Sequence, residues 1–135
     1  MKKILMVAVL LIAVVVVVLN TSMVGDQASA WAEANPKDEN APEVLYRAAR
    51  WCDVMGNDEK AKALYLQLVQ EYPKRGDLCA PALYYTASDL ASGSYIVALR
   101  KQAIPYLKKI LDEYPYQEDW RAKAQQLDDE LEKTH

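Results

Sequence analysis

The chain opens on an unbroken apolar run and then changes rhythm. Lys2 and Lys3 precede 16 apolar residues from Ile4 to Leu19, including the valines Val14–Val18. No polar face interrupts the run, so it predicts a hydrophobic helix, not an amphipathic one. From Pro42 onward apolar residues recur at three- and four-residue steps, the period of a helix with one buried face. Val44, Leu45, Ala48, Ala49 and Cys52 make the first stripe, opened by Pro42 at a first helical position. Gly56-Asn57-Asp58 breaks it, with Gly56 as the expected C-cap and Asp58 as the expected N-cap. Ala61, Leu64, Tyr65, Leu68 and Val69 make a second stripe, ended by Pro73 and Lys74-Arg75-Gly76-Asp77.

The design then returns. Ala80-Pro81 is expected to open a helix carrying Leu83, Tyr84, Ala87, Leu90 and Ala91. A further helix carries Ala103, Leu107, Ile110 and Leu111, and Pro105 requires it to begin close before that residue. Leu66 to Pro73 parallels Leu107 to Pro115, both closing on an acidic residue, Tyr and Pro. A last helix is expected from about Gln117 to Lys133, with Trp120, Ala124, Leu127 and Leu131 inward and Gln125, Gln126, Asp128, Asp129 and Glu130 outward.

These residues carry a resemblance. Gly56-Asn57-Asp58-Glu59-Lys60-Ala61, then Tyr65 and Tyr72-Pro73, resembles the second half of a tetratricopeptide repeat, which has a small residue, an aromatic four later and a Pro eight beyond. Ala103 and Pro115 repeat the pattern, with Leu107 in place of the aromatic. The first halves depart from it: the family's Trp, Leu, Gly and Tyr fall on Leu45, Ala48, Ala49 and Cys52. Pro73 and Pro115 lie 42 residues apart, against a repeat of roughly 34, so extra residues belong near Lys74–Ala80 or Gly93–Gln102. The resemblance implies an all-α fold. It would be a right-handed α-α superhelix of about two helical hairpins plus a C-terminal capping helix, preceded by the N-terminal hydrophobic helix. It also implies a concave face built from the first helix of each hairpin. Carried onto this chain, that face takes Tyr46, Arg47, Arg50 and Asp53 from the first unit and Tyr85, Ser88, Asp89 and Ser92 from the second. Tyr and Arg are frequent interface anchors. The Tyr-Pro endings joined to an export signal resemble the repeat domains of bacterial envelope proteins.

The division expected is residues 1–30 as signal peptide or transmembrane anchor, 31–41 as linker and 42–135 as the helical domain. Lysines before an apolar core orient the chain, so that the residues after Val24 lie outside the cytoplasm. Ala28-Ser29-Ala30 fits cleavage after Ala30, whereas Ile4–Val24 is 21 residues, enough to span a bilayer. Both outcomes, secretion and anchoring, stay open. Trp31 is expected either on the domain or at the membrane surface.

Charge and chemistry narrow the function. The formal net charge is −3. Beyond Ala30 there are 14 basic and 18 acidic residues, with no basic stripe to neutralise phosphates, so no nucleic-acid partner is expected. The single histidine is His135, and Ser88, Ser92 and Ser94 have no base to activate them. Two cysteines without an internal histidine make no metal site, and no loop suits a phosphate cofactor. Cys52 is expected about 15 Å from its helix start, and Cys79 in or after the returning loop, so a bridge needing Cα atoms within about 7 Å requires the loop to fold back. The expectation is a non-catalytic module, without cofactor, that binds a protein or peptide of the cell envelope and touches the membrane through Ile4–Val24 if uncleaved. The alternative is a self-associating subunit of an extracytoplasmic homo-oligomer or filament.

Overall fold

The fold is seen in a computed structural model that describes residues 1–93 and 96–133, with the side chains of 17–21 left undescribed. Ser94 and His135 lie outside the described residues, as do the side chains of Val17 and Val18. Among the described residues the chain is helical and has no strand. In order come α1 (Lys2–Ala34), α2 (Ala41–Val54), α3 (Asp58–Glu71), α4 (Gly76–Ser92), α5 (Val97–Arg100), a 3₁₀ turn (Lys101–Ala103), α6 (Ile104–Glu113) and α7 (Glu118–Glu132). The tight turn at Gly56, where φ is +82°, folds α3 back on α2. α4 packs on α3, α6 returns along α4, and α7 packs on both α4 and α6.

Each helix buries the stripe that its spacing marks. Leu45, Ala49 and Cys52 of α2 meet Ala61, Leu64, Tyr65 and Leu68 of α3. Leu83 and Ala87 of α4, Leu107 and Ile110 of α6, and Ala124 and Leu131 of α7 continue one core. Pro105 falls in the first turn of α6, where the missing N–H removes no helical bond.

α1 is a departure. The segment expected to be a linker from residue 31 is helical through Ala34, and the end of α1 packs on α2 and α3. Gly25, Ala28 and Ala32 are buried; a Cβ on Gly25 would press on the Lys60 side chain and lie 3.4 Å from Cys52 Sγ. Asp26 pairs with Lys60, and Ser29 Oγ donates to Gln67 Oε1 at 2.8 Å. Further up α1, Ile4, Leu5, Leu10 and Leu11 are exposed. Among the described residues no helix is long and apolar enough to cross a membrane.

Three helix ends share one construction. Asn35, Tyr72 and Tyr114 close α1, α3 and α6 with φ/ψ of −128/55°, −128/53° and −126/45°. A proline follows each, and its ring drives the preceding residue out of the helical region. Each turn is closed by an i to i+3 bond: Asp38 N–H to Asn35 O, Arg75 N–H to Tyr72 O, and Gln117 N–H to Tyr114 O. The units are then tied in series. Tyr72 Oη donates to Pro36 O at 3.2 Å, and Tyr114 Oη donates to Pro73 O at 2.7 Å. The end of α1 thus stands where the second helix of a preceding unit would stand.

Other expectations change in detail. The cap of α3 is Asn57, whose side chain accepts from Lys60 N–H at 3.3 Å, not Asp58. α4 begins at Gly76, four residues before Ala80: Arg75 O already accepts from Leu78 and Cys79, and Pro81 is absorbed inside the helix. That places Cys79 in the helix, its thiol against Tyr72 O, and Cys52 and Cys79 are both buried thiols. The additional residues of the second unit form α5 and the 3₁₀ turn. Asp128, expected in solvent, is buried beside Ala124 and Leu131, since it falls on the same stripe as they do.

Candidate functional site

α2 and α4 lie side by side and turn their middle and final turns toward one surface. On it Tyr46, Arg50 and Asp53 of α2 meet Tyr85 and Asp89 of α4, all half-buried. Their spacing of three and four residues keeps them on one helix face. Tyr65 of α3 lies beneath, fully buried, 6.3 Å from Tyr46 and 6.2 Å from Tyr85 between ring centres. Trp120 of α7 continues the wall at 5.6 Å from both Tyr84 and Tyr85. Arg50 lays its guanidinium over the Tyr85 ring at 3.9 Å, and its Nη1 lies 3.5 Å from Asp53 Oδ2. The same Asp53 oxygen accepts from Tyr65 Oη at 3.2 Å. A ring of that kind holds a cation by its negative face.

The acidic end is tighter. Carboxylate oxygens of Asp53, Asp58 and Asp89, from α2, α3 and α4, lie within 4.8 Å of one another. Asp58 and Asp89 border a hollow of about 200 Å³ whose other lining residues are Glu59, Lys62, Thr86 and Leu90. Burial pushes the Asp89 carboxyl up to about 7, helped by its hydrogen bond to Asp53 and by the charges of Asp53 and Asp58, with Arg50 opposing. Burial also raises Tyr46 and Tyr65, Tyr85 adding to the first, while hydrogen bonding from Arg50 works against the rise in the second. Three carboxylates offer oxygen donors of the sort hard cations take.

Five of the eight residues proposed from sequence, Tyr46, Arg50, Asp53, Tyr85 and Asp89, come together here. Ser88 is half-buried on the same helix, and Ser92 turns its hydroxyl back to the Ser88 carbonyl at 2.8 Å. Arg47 stands apart, exposed and paired along its own helix with Glu43 at 3.7 Å. Sequence reasoning misses Asp58, Tyr84 and Trp120 as parts of this surface. The stripe of α7 assigns Trp120 to the core, and it serves both, half-buried with its ring against Tyr85.

A stack of helix hairpins presenting a side-chain surface along its first helices is a helical-repeat protein. Residues 43–75, spanning α2, α3 and the turn beyond, match the model of the tetratricopeptide repeat family. The α2–α3 hairpin is thus similar to a tetratricopeptide repeat. Repeats of this family generally mediate protein–protein contacts and are typically non-catalytic. No curated protein and no solved structure matches the chain.

Proposed function

We propose that this chain is a non-catalytic adaptor of the cell envelope, held at the membrane by α1, that grips a short peptide or helix of a partner protein on the α2–α4 surface. The observation that carries the reading is the aromatic wall of Tyr46, Tyr85 and Trp120 with Arg50 fixed across it. Half-buried aromatics and an Arg at the centre of a face are the usual anchors of an interface. The hairpins are read as turns of a right-handed superhelix, whose inner side this face would be.

Retention of α1 is preferred to cleavage after Ala30. Gly25, Ala28 and Ser29 are engaged with α2 and α3, so cutting there would strip one side of the first hairpin. The exposed apolar side chains of α1 are the surface a bilayer would cover, and Lys2 and Lys3 would hold the start of the chain in the cytoplasm.

Two measurements test this. The N-terminal sequence of the protein purified from membranes should begin upstream of Gly25; a start at Trp31 would remove the anchor. Crosslinking of the full chain in its native envelope should recover a reproducible partner, lost on Arg50→Ala and kept on Arg47→Ala. Equal recovery with all three proteins would end the groove reading.

A further inference from the structure

Apart from those on α1, five of the six large apolar side chains exposed among the described residues lie toward one edge, and the sixth, Tyr116, follows the Tyr114-Pro115 turn. Trp51, Val54 and Met55 end α2, while Ile96 and Leu99 sit on the segment beyond α4. The ends of α2 and α4 share one edge, since Asp53, Asp58 and Asp89 meet there, and Arg100 Nε binds Ala91 O at 2.7 Å. Val54 is 71% exposed and Ile96 60%, values far from those of a folded core.

α1 leaves the domain at this edge. Gly25 lies against Cys52, and Asp26 against Lys60. α1 runs opposite to α2, so Val54, two residues past Cys52, is level with α1 about two residues before Gly25. That is about 3 Å further along the axis. The expected apolar span ends at Val24, at the same height. α1 is one helix from Lys2 through Ala34, so no loop separates its apolar part from the part packed on the domain.

We propose that the edge carrying Trp51, Val54, Met55, Ile96 and Leu99 rests on the bilayer surface, as a second contact beside α1. This rests on the reading that α1 is inserted in the membrane. The edge holds charges of both signs, Asp53, Asp58 and Asp89 with Arg100 and Lys101, and its Trp51 is a side chain that membrane interfaces favour. The consequence is orientation: the α2–α4 surface would stand at a fixed angle to the membrane, and the Tyr72-Pro73 and Tyr114-Pro115 turns would face away from it.

The test uses the full chain, one copy per nanodisc of phosphatidylethanolamine and phosphatidylglycerol, with an environment-sensitive dye on Val54→Cys, Lys37→Cys or Val9→Cys in turn. The native cysteines are buried and leave the introduced one to react. Lipids carrying a quencher just below the headgroup should remove at least half the Val54→Cys emission. Lys37→Cys, at the opposite edge, should stay bright, and Val9→Cys should respond to a quencher placed deeper in the chain. Val54→Cys as bright as Lys37→Cys, with Val9→Cys still quenched, overturns the edge contact and leaves the anchor standing. Loss of quenching at Val9→Cys as well removes the anchor with it. A blue-shifted Val54→Cys signal untouched by the lipid quencher means that protein covers the edge, which also overturns the proposal.

Discussion

Asp89 faces two carboxylates and one guanidinium, and this setting governs its response to pH. Its folded pKa of about 7 stands above the ordinary 3.8, so the folded chain holds this proton more tightly than the unfolded one. The stability it contributes is complete below about pH 4 and is lost as pH rises through 7. Asp89→Asn should therefore melt higher than the parent at pH 8 and with it at pH 4; parallel melting curves across that range would refute the raised Asp89 pKa. Asp128 makes the same point inside the C-terminal helix. Its Oδ1 is buried with no hydrogen-bond partner, and burial, with Glu132 adding to it, raises its pKa. Asp128→Leu should stabilise the fold by about 1–2 kcal/mol, read from denaturant midpoints at unchanged slope. At this scale the sequence is half legible. Arg50 and Asp53 are reached by carrying the repeat layout onto the first helix of a hairpin. The carboxylates of Asp58 and Asp89 meet only because the turn at Gly56 carries α3 back past the end of α4, a distance that no spacing rule encodes.

At the scale of elements, periodicity finds α2, α3, α6 and α7 to within a residue or so, since each has one stripe and a clear stop. It misplaces the start of α4, where Pro81 looks like a beginning and is an interior residue. It also misses the structural part of α1. The apolar run ahead of it draws the eye as a hydrophobic segment, and Asn35-Pro36 does not stand out as the third of the Tyr-Pro type of endings because it lacks the aromatic. The ties that join these endings are unequal. Tyr114 is buried and bonds Pro73 O at 2.7 Å, whereas Tyr72 is half-buried and bonds Pro36 O at 3.2 Å. Tyr114→Phe should cost about 1 kcal/mol and Tyr72→Phe less, in thermal or chemical unfolding. An equal cost would mean that the bonds are not what distinguishes them.

For the whole molecule, the end of α1 packs on α2 and α3 across the boundary drawn by sequence at residue 42. A chain beginning at Trp31 lacks Gly25, Ala28 and the Ser29–Gln67 bond, and exposes the faces of Ala49 and Cys52 that α1 covers. Its melting temperature should drop by about 4–8 °C for each kcal/mol lost, with α2 the first helix to lose protection from hydrogen exchange. An unchanged melting temperature would show α1 to be a passenger.

The Tyr-Pro ties bear on how such a chain can lengthen. Each stretch from one proline to the next tyrosine carries its own acceptor at the front and its own donor at the back. Spacings of 37 and 42 residues are both accepted, because the added residues of the second stretch emerge as α5 at the edge remote from the ties. A duplicated copy of Pro36–Tyr72, spliced in at Pro73, would meet a matching socket on both sides. The molecule is in that sense modular, and its length is a quantity that gene duplication could set one unit at a time.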